Sequence, residues 1–286
     1  MMKFLVAALF MSISAAHALP VGIARPIEKL NFKTNAAAFD FEGIVKLSNC
    51  SGALVKFEGQ PETNKAIIMT NGHCADLPGG AFIKPGEVIS NKKVARTVGI
   101  FDAKMGLHRV KTTQFLYATM TETDVTFYEL ELTYQNIKDQ FDIDALTLAP
   151  SKPKIGTEMQ IISGYWERGW DCSIEAVIPS VKEDAYVWIN SLRYNANCDT
   201  THGTSGSPII ERNTRTVIGI NNTGNDDGER CTMNNPCEVS TDGTITVKQG
   251  TSYGQQTYNV YTCLNSKFAI DLKKPGCTLF KQKKNI

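Results

Sequence analysis

The chain has 286 residues, 42% of them hydrophobic, with 30 Lys and Arg against 29 Asp and Glu. That is enough apolar material for one large domain or two ordinary ones, and it excludes disorder as the default. A formal net charge of +1 gives no electrostatic basis for binding nucleic acid or an anionic membrane, so neither is expected as a partner.

The N-terminus begins with Lys3, runs through an apolar stretch from Phe4 to Met11, and reaches the small-x-small sequence Ala16-His17-Ala18. This is the form of a secretory signal peptide over residues 1–18, with Leu19 as the new N-terminus. The stretch is short for a bilayer span, and no later segment offers a long uncharged run, so no stable membrane insertion is expected. The mature protein is expected to be secreted or periplasmic, and a monomer. Residues 19–40 carry little regular pattern and read as an N-terminal extension or propeptide.

From Phe41 onward, short apolar or alternating runs are broken by Gly, Asn, Pro and Asp, which predicts an all-β fold. Strands are expected over residues 43–47, 66–69 and 124–132. Two prolines in 149–156 (Pro150 and Pro153) interrupt the pattern and mark a linker between residues 41–149 and 150–286. Further strands are expected over 159–162 and 185–189, and a hairpin joins 207–210 to 216–220 through Arg212-Asn213-Thr214-Arg215. Phe268, Ala269 and Leu272 have helix-compatible spacing and predict a short C-terminal helix over 265–273. The basic residues Lys281, Lys283 and Lys284 read as a solvated tail.

All eight cysteines, Cys50, Cys74, Cys172, Cys198, Cys231, Cys237, Cys263 and Cys277, lie beyond the expected cleavage site. An even number in an exported chain points to disulfides, and the absence of any C-x-x-C pair argues against a metal site.

Gly203-Thr204-Ser205-Gly206-Ser207-Pro208 places a serine between small residues that let a carbonyl approach the backbone, which nominates Ser205 as a nucleophile. A serine hydroxyl is nearly inert at neutral pH, so it needs a base and a group to orient that base. Thr70-Asn71-Gly72-His73-Cys74 closes an apolar run and supplies His73. Asp124 opens another run and supplies the carboxylate, giving the chain order His, Asp, Ser. His108 reads as a structural strand residue. His202, three residues before Ser205, reads as a residue lining the cleft. Residues 225–229 read as a solvated turn, since they lack the ligand spacing of a calcium loop.

These motifs, with Asp124-Val125-Thr126, Gly164-Tyr165 and Cys198-Asp199-Thr200-Thr201, resemble the trypsin/chymotrypsin-like serine peptidases, and more closely their secreted bacterial relatives related to glutamyl endopeptidases. The resemblance covers roughly residues 40–225. It implies two six-stranded antiparallel β-barrels, with His73 and Asp124 on the first and Ser205 on the second. It implies that the backbone N–H groups of Gly203 and Ser205 form an oxyanion hole, that Gly203 must lack a side chain to keep the hole open, and that no metal or organic cofactor is needed. It also implies a Cys50–Cys74 bridge and a Cys172–Cys198 bridge. The remaining four cysteines allow three connectivities, of which sequence proximity favours Cys231 with Cys237 and Cys263 with Cys277.

Protein or peptide substrates follow from the same resemblance. Asp199 stands where trypsin-like enzymes carry the carboxylate that pairs with Arg or Lys, although bacterial relatives carry Asp-Thr there without basic specificity. Thr200, Thr201, His202, Asn221, Asn222 and Thr223 are the other expected substrate-binding residues. Asn221 replaces the histidine of glutamate-specific relatives. Thr204 replaces the aspartate by which zymogen-activated trypsins hold a freed N-terminus. The rival reading is a catalytically inactive relative that serves as a binding or adhesion protein.

Overall fold

The computed structural model describes residues 39–282. The expected signal peptide and nearly all of the 19–40 extension lie outside them. In the first half, strands β1 (Ile44–Lys46), β2 (Ser51–Lys56), β3 (Lys65–Thr70), β4 (Val88–Ile89), β5 (Lys92–Lys93), β6 (Thr97–Phe101), β7 (Leu107–Thr119) and β8 (Val125–Thr133) follow in chain order. The antiparallel pairs run β1 to β2, β2 to β3, β3 to β8, β8 to β7, β7 to β6 and β6 back to β1. This ring closes a six-stranded barrel and leaves no open edge among its members.

The second half contains β9 (Leu146–Leu148), β10 (Glu158–Ser163), β11 (Arg168–Glu183), β12 (Tyr186–Tyr194), β13 (Pro208–Glu211), β14 (Thr216–Gly224), β15 (Cys237–Val239), β16 (Ile245–Val247) and β17 (Ser252–Gln256). Here the ring runs β10, β11, β12, β17, β14, β13 and back to β10, again antiparallel throughout. β9 lies between the two rings, parallel to β2 of the first and β14 of the second. The expected hairpin is present as β13 and β14, with Asn213 at φ 61° in its turn and the Thr214 hydroxyl donating to the Glu211 carbonyl at 2.8 Å.

Three buried clusters explain why several strands are apolar on both faces. Successive side chains point to opposite sides of a strand. Ile68 therefore faces the interior of the first barrel with Val45, Leu54, Ile100 and Tyr128. Its neighbours Ile67 and Met69 face the seam between barrels with Ile44, Val55, Ile162, Ile210 and Val217. On the other side of that seam, Ile209 and Ile218 turn into the second barrel with Met159, Ile161 and Leu192. Each large side chain so buried contributes about 1.5–3 kcal/mol.

One α-helix, α1 (Tyr134–Phe141), follows β8. It was not expected from the apolar spacing; Thr133 and Asn136 form a reciprocal capping box, and Tyr134 and Ile137 bury one face. The expected C-terminal helix over 265–273 is absent. A 3₁₀ segment occupies Tyr258–Cys263 instead. The Asn265 carboxamide oxygen accepts the N–H groups of Lys267 and Ala269, and Phe268 adopts φ 62°. These local bonds compete with helical ones. The Cys263–Cys277 bridge closes the same segment.

All four disulfides join the expected partners: Cys50–Cys74, Cys172–Cys198, Cys231–Cys237 and Cys263–Cys277. The barrels touch closely at Gly164, where an added Cβ would stand 2.3 Å from the Val45 carbonyl oxygen. Gly164→Ala is expected to destabilise the fold by about 1–3 kcal/mol through this clash, read as a lowered urea midpoint with an unchanged denaturant slope.

Candidate active site

The first barrel builds one wall. β3 ends at Thr70, and the chain turns tightly, with the Cys74 N–H donating to the Asn71 carbonyl at 3.2 Å. The Cys50–Cys74 bridge fastens this turn to the start of β2. Beneath it, the buried Arg96 donates to the Cys74 carbonyl at 2.7 Å and to Asn49 Oδ1 at 2.5 Å. β8 pairs with β3 and so delivers Asp124, just before its first residue, beside the same turn. The Asn71 side chain donates to the Asp124 carbonyl at 2.8 Å.

Asp124 is fully buried. Its Oδ1 accepts the His73 backbone N–H at 3.1 Å, and its Oδ2 lies 2.7 Å from His73 Nδ1. This bond places the proton on Nδ1 and leaves Nε2 as the basic nitrogen. Burial pulls the imidazole pKa down, but the charge and hydrogen bond of Asp124, with the charge of Glu183, outweigh it and hold the pKa above its ordinary value.

The second barrel supplies the other wall. Between β12 and β13 the chain makes successive turns, with Thr204 N–H on the Thr201 carbonyl at 3.1 Å and Ser207 N–H on the Thr204 carbonyl at 3.0 Å. The Thr204 hydroxyl donates to the Thr201 carbonyl and accepts from Asn221 Nδ2 at 3.1 Å. Ser205 Oγ donates to the Asn222 carbonyl at 3.1 Å. The backbone N–H groups of Gly203 and Ser205 donate to no other group among the described residues.

Two buried serines, absent from the sequence reading, hold this loop. Ser51 N–H donates to the Ser205 carbonyl at 2.8 Å, and Ser51 Oγ donates to the Gly203 carbonyl at 3.1 Å. The same oxygen accepts the Tyr165 N–H at 3.1 Å and lies 2.8 Å from Ser163 Oγ. Ser163 Oγ in turn accepts the Trp166 N–H at 3.2 Å. Gly203 sits at φ 87°, and a Cβ there would lie 2.7 Å from Tyr165 Cδ1 and 2.9 Å from Trp166 Nε1. The glycine is therefore required by packing against these rings as well as by backbone conformation.

His73, Asp124 and Ser205 line a single cleft of ≈ 330 Å³, together with Thr200, Thr201, His202, Gly203, Asn221, Asn222 and Thr223. Asp199 is the exception. Its side chain is exposed and outside the cleft lining. Its neighbour Cys198 is buried in the bridge to Cys172. His108 is also elsewhere, 2.8 Å from Asp102 and stacked on Phe141.

Glu183, Tyr186, Trp188 and Asp226 line the cleft without having been anticipated. In sequence, Lys182-Glu183-Asp184 reads as a polar hairpin tip. Glu183 is the last residue of β11, and strand alternation puts Val181 and Glu183 inside and Lys182 outside before the chain turns at Asp184. The close group Cys50, His73 and Cys74 offers no thiolate for a metal, because the two sulfurs are joined. Asn221, in one of two Asn-x-Ser/Thr motifs, is buried and bonded to Thr204, which removes it as a glycan acceptor in the folded chain.

A model of the trypsin-like peptidase domain matches residues 50–220, which hold His73, Asp124 and Ser205. The chain belongs to the trypsin-like peptidase family. Its paired barrels and intervening cleft are a chymotrypsin-like fold. Among solved structures, the MamO protease domain from Magnetospirillum magneticum is 12% identical with a TM-score of 0.48, the match covering 79% of this chain and 97% of that one. Nocardiopsis protease is 13% identical with a TM-score of 0.43, over 76% and 93% of the respective chains. No curated protein matches by sequence.

For this family member, Ser51→Ala is expected to leave the Tyr165 N–H and the Gly203 carbonyl unpaired in a partly buried position. The cost is about 1–3 kcal/mol, to be read from urea unfolding. Ser51→Thr is expected to lose less if its hydroxyl keeps these bonds.

Proposed function

We propose that the protein is a secreted serine endopeptidase. The observation that carries this reading is the meeting, in one cleft, of the His73–Asp124 pair, Ser205 and two backbone N–H groups with no protein acceptor. For reaction, the Ser205 hydroxyl turns from the Asn222 carbonyl toward His73 Nε2. Oγ attacks a peptide carbonyl as its proton passes to the imidazole. Asp124 stabilises the imidazolium, and the N–H groups of Gly203 and Ser205 hold the developing oxyanion. The imidazolium then protonates the departing amine, leaving an ester on Ser205. Water repeats the sequence in reverse and frees the acid.

Four disulfides, with no free cysteine among the described residues, support an oxidising destination. No helix among the described residues is long and apolar enough to cross a membrane. Protein and peptide substrates fit an open cleft whose walls mix neutral polar groups at Thr200, Thr201, Asn221 and Thr223 with the carboxylates of Glu183 and Asp226. Asp199 is exposed and lies outside this lining.

A fluorophosphonate is expected to label Ser205 in the purified mature protein and to leave Ser205→Ala unlabelled. Absence of label on folded wild-type protein would sink the peptidase reading in favour of a silent binder. Asp124→Asn is expected to lower kcat by about 10⁴-fold, by analogy with the same change in a related triad.

The labelling rate is also expected to fall on the acid side around a pKa above about 6.5, the ordinary histidine value. Neutral imidazole is the base, and a raised pKa means that protonation begins at higher pH. The stability sign is opposite to that of activity. His73 favours the fold fully below about pH 6.5, and that contribution is lost as pH rises through its raised pKa. A pH series of labelling rates and melting temperatures measures both.

A further inference from the structure

The cleft is acidic although the chain as a whole is almost neutral. Asp124, Glu183 and Asp226 line it, and no Lys or Arg among the described residues does. Two of these carboxylates have histidine partners: Asp124 has His73 at 2.7 Å, and Asp226 has His202 at 2.6 Å. Glu183 has no ion-pair partner among the described residues, yet it is only 5% exposed. Burying a carboxylate without a cation is costly, and the cost is visible in a pKa pushed above the usual glutamate value, chiefly by desolvation.

The fold holds this group in place rather than releasing it to water. The Thr223 hydroxyl donates to Oε2 at 2.6 Å, and the Asn234 N–H donates to Oε1 at 2.8 Å. Asn234 lies inside the small loop closed by Cys231–Cys237. These two bonds fix the carboxylate against β14, with no positive charge to balance it.

A second unmet demand lies beside it. Asn222, adjacent to Thr223, is 2% exposed and lines the cleft, and neither its Nδ2 nor its Oδ1 has a partner among the described residues. Beyond Asn221, which still bonds to Gly206 and Ser207, β14 pairs with β17 on one side, Thr223 with Tyr253 and Gly224 with Ser252, and has no strand on the other among the described residues. An extended peptide laid along that free edge is a common mode of recognition, with alternate side chains entering pockets. One of its side chains then reaches Thr223 and Glu183, one step along β14 from the Asn222 carbonyl that holds Ser205.

We propose that Glu183 forms a subsite for a cationic side chain, which makes peptides with Lys or Arg at a position flanking the scissile bond the preferred ligands of this cleft. The assignment rests on the peptidase reading for its consequence in cleavage, but not for binding. Glu183 is a specificity-determining residue, distinct from Asp199 in place and in contacts. The bound ammonium or guanidinium supplies the missing counter-charge in a partly dehydrated site, where such a bond is stronger than at the surface.

The test uses peptides that differ only in Lys against norleucine, with the substitution moved through three positions on each side of a fixed central bond. Binding is measured by calorimetry to the full mature chain carrying Ser205→Ala, with and without Glu183→Gln. At one flanking position Lys is expected to bind about tenfold more tightly than norleucine. Glu183→Gln is expected to remove that preference, and Glu183→Asp, which keeps the charge, to retain part of it. Equal affinities at every position, or a preference that survives Glu183→Gln, would overturn the proposal. Should Glu183→Gln fail to fold, loss of the lysine preference when lysine is acetylated, set against its retention with arginine, decides in its place. A protein that prefers Lys in binding but is never labelled at Ser205 keeps the subsite and loses the peptidase reading. A protein labelled at Ser205 but indifferent to Lys does the reverse.

Discussion

The site depends on Ser51. Its backbone N–H and its hydroxyl reach from β2 of the first barrel to the carbonyls of Ser205 and Gly203, while the hydroxyl also receives the Tyr165 N–H from the second barrel. One fully buried residue therefore sets the position of Ser205 relative to the barrel that carries His73 and Asp124. Ser163 completes the arrangement, since its oxygen lies 2.8 Å from Ser51 Oγ and it is equally buried. In such a place every polar group must be paired, because a single lost partner exposes no compensating water. The constraint is geometric as well as energetic. It ties two independently closed barrels at the point where their contributions to the cleft meet.

Charge forms the second layer. Asp124 is fully buried but receives its own backbone-held histidine and the support of Asn71 through its carbonyl. Glu183 stands nearby with only neutral donors. The two carboxylates together raise the affinity of His73 for a proton, against the opposing effect of its burial. The cleft gathers three carboxylates in a protein whose Lys and Arg nearly equal its Asp and Glu. Net charge describes the long-range field of a molecule, while a cleft with low-dielectric walls is governed by the few groups that line it.

Much of the architecture was legible in the chain. The runs Ala66-Ile67-Ile68-Met69 and Pro208-Ile209-Ile210 announce strands, and their lack of alternation follows from one face filling a barrel and the other filling the seam. The turn between β13 and β14 was equally plain from Arg212-Asn213-Thr214-Arg215. Helices were harder. α1 spans only eight residues, and its capping box uses Asn136 where Glu or Gln is the stronger signal. Phe268, Ala269 and Leu272 had suitable spacing, but Asn265 satisfies the neighbouring N–H groups with its own side chain and the Cys263–Cys277 bridge closes the segment.

The sequence alone nominated Ser205, His73 and Asp124, because serine, histidine and aspartate in Gly-, Asn- and Cys-marked turns are visible one residue at a time. Its eight cysteines pointed to disulfides, with Cys50–Cys74 and Cys172–Cys198 implied by the family resemblance and the other pairs favoured by proximity alone, and the structure joins all four. Only the tertiary structure decided which side chains face the cleft. Asp199 is exposed beside the buried, bridged Cys198, and Glu183 follows Val181 onto the buried face of β11. Ser51, Ser163 and Arg96 act through contacts between segments far apart in the chain, and no local pattern announces such a contact. Side-chain chemistry is a property of the residue, whereas burial and direction belong to the packed barrels.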